Sequence, residues 1–432
     1  MNNSIGKVIH NYYKENFSKR KFIPGVSAVP VSGKVFDEDE LTNGINAVLD
    51  GWWTEGRFAK EFEKNFSRYL NVRYVSLVNS GSSANLVALS ALTSEILKER
   101  ALRPGDEVIT TAVGFPTTVN PIIQNKCVPV FVDVDTSTHN VIPSQLEKAV
   151  TKKTKAVVLA HTLGNPFNLK EVLRIVEKHN LWLIEDCCDA LGSTYNNKLA
   201  GTFGDIATFS FYPAHQITMG EGGAIITNNP FLHRSIRQFR DWGRDCWCNT
   251  GQDDTCGKRF MWKIGEVPLG YDHKYIYSQI GYNLKLTDFQ AAIGVAQLKK
   301  LPKFILKRKA NFIKLYKGLK KYEKYFILPE KQNISDPCWF GFMIVIANKA
   351  PFTRLDIVKF LESKKIATRS LFAGNILKHP GYKNIKKRVI GNLKNSDIIM
   401  NNGFWIGVYP GITDEMIKYI LMQFQNFLSK YE

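Results

Sequence analysis

The stretch Phe209-Ser210-Phe211-Tyr212-Pro213-Ala214-His215-Gln216-Ile217-Thr218-Met219-Gly220-Glu221-Gly222-Gly223 joins two short apolar runs, Ile206–Ser210 and Gly223–Thr227, each of which reads as a buried strand. Upstream, Tyr74–Val78, Glu107–Thr111, Val128–Val132 and residues 156–160 and 182–184 read the same way. Helical patterns at 83–99 and 169–179 fit between them. Strands alternating with helices predict an α/β fold, a mainly parallel sheet with helices on both faces. Two further helices precede the first strand, one at 41–49 and one ending near Leu70, separated by the turn Thr54-Glu55-Gly56-Arg57.

After about residue 290 the pattern changes. Residues 289–301 and 305–322 read as two long helices with lysine on their polar sides. A strand at 338–346, a helix at 354–364 and a last helix at 414–428 follow. The expected organisation is an N-terminal segment, 1–35, a large α/β domain, 36–290, and a smaller α+β C-terminal domain, 291–432. Residues 243–259, dense in Cys, Asp, Gly and Asn, form an irregular loop within the large domain.

A hydrophobic content of 44% and a charged content of 22% are those of an ordinary soluble protein. The net charge of +19 raises nucleic acid as a partner, but the lysines are scattered and no helix-turn-helix, zinc-finger or RNA-recognition signature occurs. The charge suits an anionic small substrate or an acidic protein partner instead. Residues 1–19 are too interrupted by charge for a signal peptide, and no apolar run approaches the ~20 residues of a membrane span. A cytoplasmic location, with reduced thiols, is expected; seven cysteines, an odd number, fit it better than a disulfide framework.

Three segments combine into one expected site. Asn79-Ser80-Gly81-Ser82-Ser83-Ala84-Asn85 follows a strand and opens a helix, where exposed N–H groups bind phosphate. Ile184-Glu185-Asp186-Cys187-Cys188-Asp189-Ala190-Leu191-Gly192 ends a strand in carboxylates. The third is the opening stretch itself, with Ser210 and His215. Together they resemble the fold type I sugar aminotransferases of the DegT/DnrJ/EryC1/StrS family, over essentially the whole chain from about Pro30. In that family the third segment reads roughly S-F-x-x-x-K before a G-E-G-G turn, and the lysine holds pyridoxal phosphate (PLP) as a Schiff base. Here the position is His215, and no lysine occurs between Lys198 and Lys258. A histidine moves protons but cannot hold an aldehyde as an imine.

The resemblance implies roles residue by residue. Asp186 would face the pyridinium nitrogen, Ser82, Ser83 and Ser210 the phosphate, and Phe115 the ring. Asn283 would reach the phosphate from the neighbouring subunit of a homodimer. Tyr212 and Asp189 would flank His215; typical aminotransferases carry His or Gln where Asp189 stands. Arg369, in Arg369-Ser370-Leu371-Phe372, resembles a substrate-side loop and is an expected partner of the substrate diphosphate.

Cysteines fall at 127, 187, 188, 246, 248, 256 and 338. Cys188, Cys246, Cys248 and Cys256 are separated by 57, one and seven residues. That spacing resembles the iron–sulfur CDP-4-keto-6-deoxyglucose 3-dehydrases within the family. Four thiolates suit a 2Fe–2S cluster, and zinc is the competing metal. Cys187 competes with Cys188, but only Cys188 gives the resembling spacing; Cys127 and Cys338 read as core.

The resemblance thus implies an enzyme using noncovalent pyridoxamine phosphate (PMP) and a 2Fe–2S cluster. It would remove the C3 hydroxyl of CDP-4-keto-6-deoxy-D-glucose, with electrons from an NAD(P)H-dependent iron–sulfur flavin reductase, in 3,6-dideoxyhexose and lipopolysaccharide O-antigen synthesis. The alternative is a cluster-free GDP-4-keto-6-deoxymannose 3-dehydratase, which also carries histidine for lysine.

Overall fold

The computed structural model describes residues 3–17, 21–248 and 250–432. Its central sheet comprises β1 (Tyr74–Val78), β2 (Glu107–Thr111), β3 (Val128–Val132), β4 (Thr154–Ala160), β5 (Trp182–Asp186), β6 (Ile206–Ser210), β7 (Gly223–Thr227) and, from far along the chain, the edge strand Arg388–Val389. The order is β1-β7-β6-β5-β4-β2-β3-edge strand. All pairs are parallel except those of β7, which runs antiparallel to both β1 and β6. Strands β2, β3, β5, β6 and β7 are buried at every residue, as a sheet covered on both faces requires.

The parallel register decides where chemistry can sit. Ala160 pairs with Asp186 and Asp186 with Thr208, so the carboxyl ends of β4, β5 and β6 meet along one edge. In open α/β sheets that edge carries the ligand crevice.

A second, antiparallel sheet of Phe326–Ile327, Gly341–Ile346 and Gly403–Gly407 packs with the helices Arg354–Ser363 and Asp414–Leu428. The helix Asp288–Leu319 joins the two parts. Ala291, Ala292 and Val295 pack with the large sheet's core, whereas Phe312, Leu315 and Leu319 pack with the small sheet's. The sequence pattern predicted two helices here, but one helix of 32 residues runs through Pro302. Proline removes one hydrogen bond and strains the preceding turn; burial of Leu301 and Phe304 on either side holds the helix together. The helix expected at 83–99 instead stops at Ala91, and Glu95–Arg100 forms 3-10 turns around Lys98 at φ +51°.

Candidate active site

A cleft of about 760 Å³ opens at the carboxyl ends of β4 to β6. Of the residues singled out in the sequence, Ser82, Phe115, Asp186, Cys188, Asp189, Ser210, Tyr212, His215 and Arg369 line it. Arg369 comes from beside the small sheet, where its backbone bridges to Trp405, so both parts of the chain close the cleft.

One end is a cradle for an anion. Ser80 caps the helix Gly81–Ala91, accepting the Ser83 N–H at 3.1 Å. Ser83 therefore shapes the cradle from behind, while Ser82 lines it, 3.2 Å from Thr117 Oγ1. A Cβ on Gly81 would stand 2.9 Å from Ser210 Oγ and 3.0 Å from Cys188 Sγ. Glycine keeps this helix start open to an oxyanion beside Ser210.

Asp186, at the end of β5, is held from three directions. Asn85 Nδ2 (2.8 Å) and Thr118 Oγ1 (2.7 Å) donate to Oδ2, and the Cys188 N–H (3.1 Å) donates to Oδ1. Asn85 is itself fixed by Thr208 Oγ1 at 2.6 Å. The preceding residue, Glu185, is fully buried and accepts from His161 Nε2 and the N–H groups of Gly201, Phe203 and Gly204. Burial pushes its carboxyl up, yet these donors prevail and hold it below the usual range. Two carboxylates, one aimed at the sheet and one at the cleft, thus end β5. A phosphorylated heterocycle fits: an oxyanion cradle at one end and a fixed carboxylate for a ring N–H⁺ deeper in.

His215 lines the same cleft. Its Nδ1 lies 3.6 Å from Asp189 Oδ1 and has no hydrogen-bond partner. Burial, helped by the Arg308 guanidinium, pushes the imidazole down to about 3. Burial and the nearby Asp186 push Asp189 up to about 8. Fully buried Arg308 donates to the carbonyls of His215 (2.8 Å) and Phe340 (3.2 Å), tying the His215 loop to the small sheet. Phe115 and Tyr212 are each 51% exposed at the mouth, and Phe115 meets Phe372 edge to face at 5.8 Å.

The remaining residues lie elsewhere. Asn283 is exposed and outside this cleft, bridged to Asp241 with its Oδ1 3.2 Å from Lys285 Nζ. Cys246, Cys248 and Cys256 gather around His273 Nε2 at 3.7, 4.0 and 3.5 Å. The Cys188 thiol lies in the cleft beside Gly81 and Ser210. Cys127, Cys187 and Cys338 are buried. Among the described residues no helix is long and apolar enough to cross a membrane.

Sequence reasoning missed Asn85, Thr118, His161, Arg308 and His273. Asn85 closes the quoted 79–85 stretch, and its spacing from the N-cap turns it inward. Arg308 offers no such signal, being one cation among many on a lysine-rich helix.

The DegT/DnrJ/EryC1/StrS aminotransferase family model matches residues 36–425. The chain is 56% identical to the lipopolysaccharide biosynthesis protein RfbH of Salmonella typhimurium, over 98% of this chain and 97% of that protein. It is 51% identical to a dTDP-4-dehydro-2,6-dideoxy-D-glucose 3-dehydratase of Saccharopolyspora spinosa, over 98% and 91%. Among solved structures, an Escherichia coli GDP-4-keto-6-deoxy-D-mannose-3-dehydratase with bound hydrated PLP superposes with a TM-score of 0.82 at 30% identity, covering 91% of this chain and 98% of that one. With a lysine-free cofactor loop on a fold type I scaffold, the chain belongs to the DegT/DnrJ/EryC1/StrS aminotransferase family.

Proposed function

We propose that the protein is a nucleotide-sugar 3-dehydratase that deoxygenates C3 of CDP-4-keto-6-deoxy-D-glucose, using noncovalent PMP and electrons delivered through a 2Fe–2S cluster. The observation that carries this reading is His215 at the lysine position, beside Asp189 in the cleft that the fixed carboxylate Asp186 also lines. When bound, PMP supplies the amine that engages the sugar ketone and a ring that takes up negative charge.

The chain's own residues do the rest. The Gly81 cradle and Ser210 receive the phosphate, and Asp186 keeps the ring nitrogen protonated. Phe115 covers the ring, and Tyr212 stands at the mouth. Buried and neutral, His215 takes a proton, while Asp189 beside Nδ1 sets which ring nitrogen carries one. Arg369 meets the nucleotide diphosphate. Asn283, exposed and outside its own cleft, would complete the site of a second subunit in a homodimer, as the family resemblance implies. Loss of the C3 hydroxyl as water leaves a two-electron deficit; Cys188, Cys246, Cys248 and Cys256 would hold the cluster that passes on the reductase's electrons.

The relative at 51% identity is named a 3-dehydratase of a dTDP-linked 4-keto sugar and that at 56% a lipopolysaccharide biosynthesis protein, which supports C3 deoxygenation of a nucleotide sugar. The test supplies protein, PMP, reductant and the CDP-, dTDP- or GDP-linked 4-keto sugar in turn, and reads the product by mass spectrometry. Loss of one oxygen from the CDP sugar is expected. An amino sugar, or deoxygenation only of the GDP sugar, would refute the reading.

A further inference from the structure

The chain's net charge sits almost wholly in its last third. Residues 291–432 carry 26 lysines and arginines against nine aspartates and glutamates, a net +17 of the chain's +19. Residues 1–290 carry 32 against 30. A general enrichment in lysine would charge both parts alike, so the excess belongs to the smaller part's own surface. We infer that the outer face of the helix Asp288–Leu319 is a docking surface for an anionic lipid bilayer, which the protein meets peripherally without crossing it. Neither the cleft nor the cysteine loop takes part.

The helix sorts its residues by face. Lys299, Lys303, Leu306, Ile313, Lys317 and Lys321 follow one another at intervals of three, four or seven residues. They therefore form one line along the helix and the 3-10 turn Lys320–Tyr322 that extends it. All six are exposed, Leu306 by 70% and Ile313 by 51%. Leu301, Phe304, Leu315 and Leu319, on the other side, are buried, which fixes the direction the line faces. At 1.5 Å of rise per residue it runs about 33 Å. Neighbouring lysines are paired within the protein: Lys300 with Glu40, Lys309 with Asp336, Lys314 with Asp414 and Lys320 with Glu323. Among the described residues the four lysines of the line form no ion pair, so their charge faces outward uncompensated.

The kind of charge selects the partner. The four arginines of 291–432 are committed elsewhere: Arg308 is buried, Arg388 pairs with Glu107, Arg354 donates to the Asn401 carbonyl and Arg369 lines the cleft. Arginine's planar fork is what nucleic-acid and protein interfaces select, and lysine is depleted from protein interfaces. The surface potential of an anionic bilayer asks only for point charges close to a plane, each worth roughly fivefold in binding. A straight helix brings its lysines to such a plane together. Leu306 and Ile313, two turns apart between the lysines, offer aliphatic side chains that a headgroup layer can bury and a phosphate backbone cannot.

The test sediments full-length protein with vesicles of phosphatidylcholine alone and of phosphatidylcholine mixed with phosphatidylglycerol, at low and at high salt. Wild type is expected to pellet only with the phosphatidylglycerol vesicles and to be released by salt. The triple variant Lys303→Glu, Lys317→Glu, Lys321→Glu should lose at least about tenfold in binding. The double variant Leu306→Ser, Ile313→Ser should lose at least about threefold with its charge unchanged. Every substituted side chain is exposed, so both variants should keep the wild-type melting temperature. Duplex DNA and polyglutamate are titrated alongside. Wild type that stays in solution with phosphatidylglycerol vesicles overturns the proposal, as does undiminished pelleting of the charge-reversed variant. Undiminished pelleting of the Leu306 and Ile313 variant, or tighter binding to DNA or polyglutamate than to the vesicles, overturns a lipid surface as the partner.

Discussion

His215 Nδ1 faces Asp189 Oδ1 at 3.6 Å, just beyond hydrogen-bond length, with both side chains all but enclosed. Burial disfavours either charge: it holds the imidazole neutral, pushed down to about 3, and together with Asp186 holds the carboxyl protonated, pushed up to about 8. The pair therefore enters the reaction uncharged, with a proton available between its members. A lysine there would be a strongly basic amine; in the proposed function this pair serves as a proton relay.

His215→Asn should fold and retain cofactor, because the loop is anchored through its backbone carbonyls to Arg308 rather than through the imidazole. Turnover should fall by ~10²–10⁴, the usual worth of a general base. Solvent exchange of the cofactor's C4′ proton, followed by NMR, should stop; unchanged exchange would remove His215 from the base role. His215→Lys should restore an amine that borohydride traps with PLP.

The pair also writes itself into stability. Asp189 is raised from 3.8 to about 8, so its contribution is full below pH 3.8 and is lost as pH rises through 8. His215 is lowered from 6.5 to about 3, so its contribution is full above pH 6.5 and is lost as pH falls through 3. In cofactor-free protein, Asp189→Asn should gain on wild type as pH rises from 5 to 9, by on the order of a few °C in melting temperature. His215→Asn should gain on wild type as pH falls below 6.5. Thermal melts across that range check both signs; parallel curves would contradict the enclosed pair.

Gly81→Ala places a methyl against Ser210 and Cys188. Weaker PMP binding by at least about tenfold, ~1.4 kcal/mol, is expected, with little change in fold because the helix start is otherwise intact. Fluorescence titration of the apo protein with PMP measures it.

Asp186→Asn sets an amide where Asn85, Thr118 and the Cys188 N–H all donate. An NH2 group must then meet a donor, and the ring nitrogen loses its anionic partner. Turnover should fall by ~10² or more with the substrate KM little changed, in steady-state assays at saturating PMP.

What could be read from sequence follows from period and contiguity. Asp186 and Ser210 sit at the ends of short, fully buried strands, and a parallel register brings such ends to one edge, so contiguous motifs predicted a shared cleft. Phe340 and Trp405 reach the same cleft from the other part of the chain, and Arg308 ties Phe340 to the His215 loop, through packing no local pattern encodes. The edge strand Arg388–Val389 is too short to carry a period, and the 32-residue helix through Pro302 is held by tertiary burial against its local propensity. His273 lies 17 residues past Cys256 in a loop without periodicity, where counting cysteines could not find it.

The most direct test of the whole account is the fate of the C3 oxygen when the electron source is varied. Anaerobically purified protein with PMP and CDP-4-keto-6-deoxy-D-glucose should release the 3-deoxy sugar only when a chemical or enzymatic reductant is supplied, two electrons for each oxygen lost as water. Deoxygenation driven by glutamate alone, with no reductant, would contradict it and make the cluster-free dehydratase the right reading.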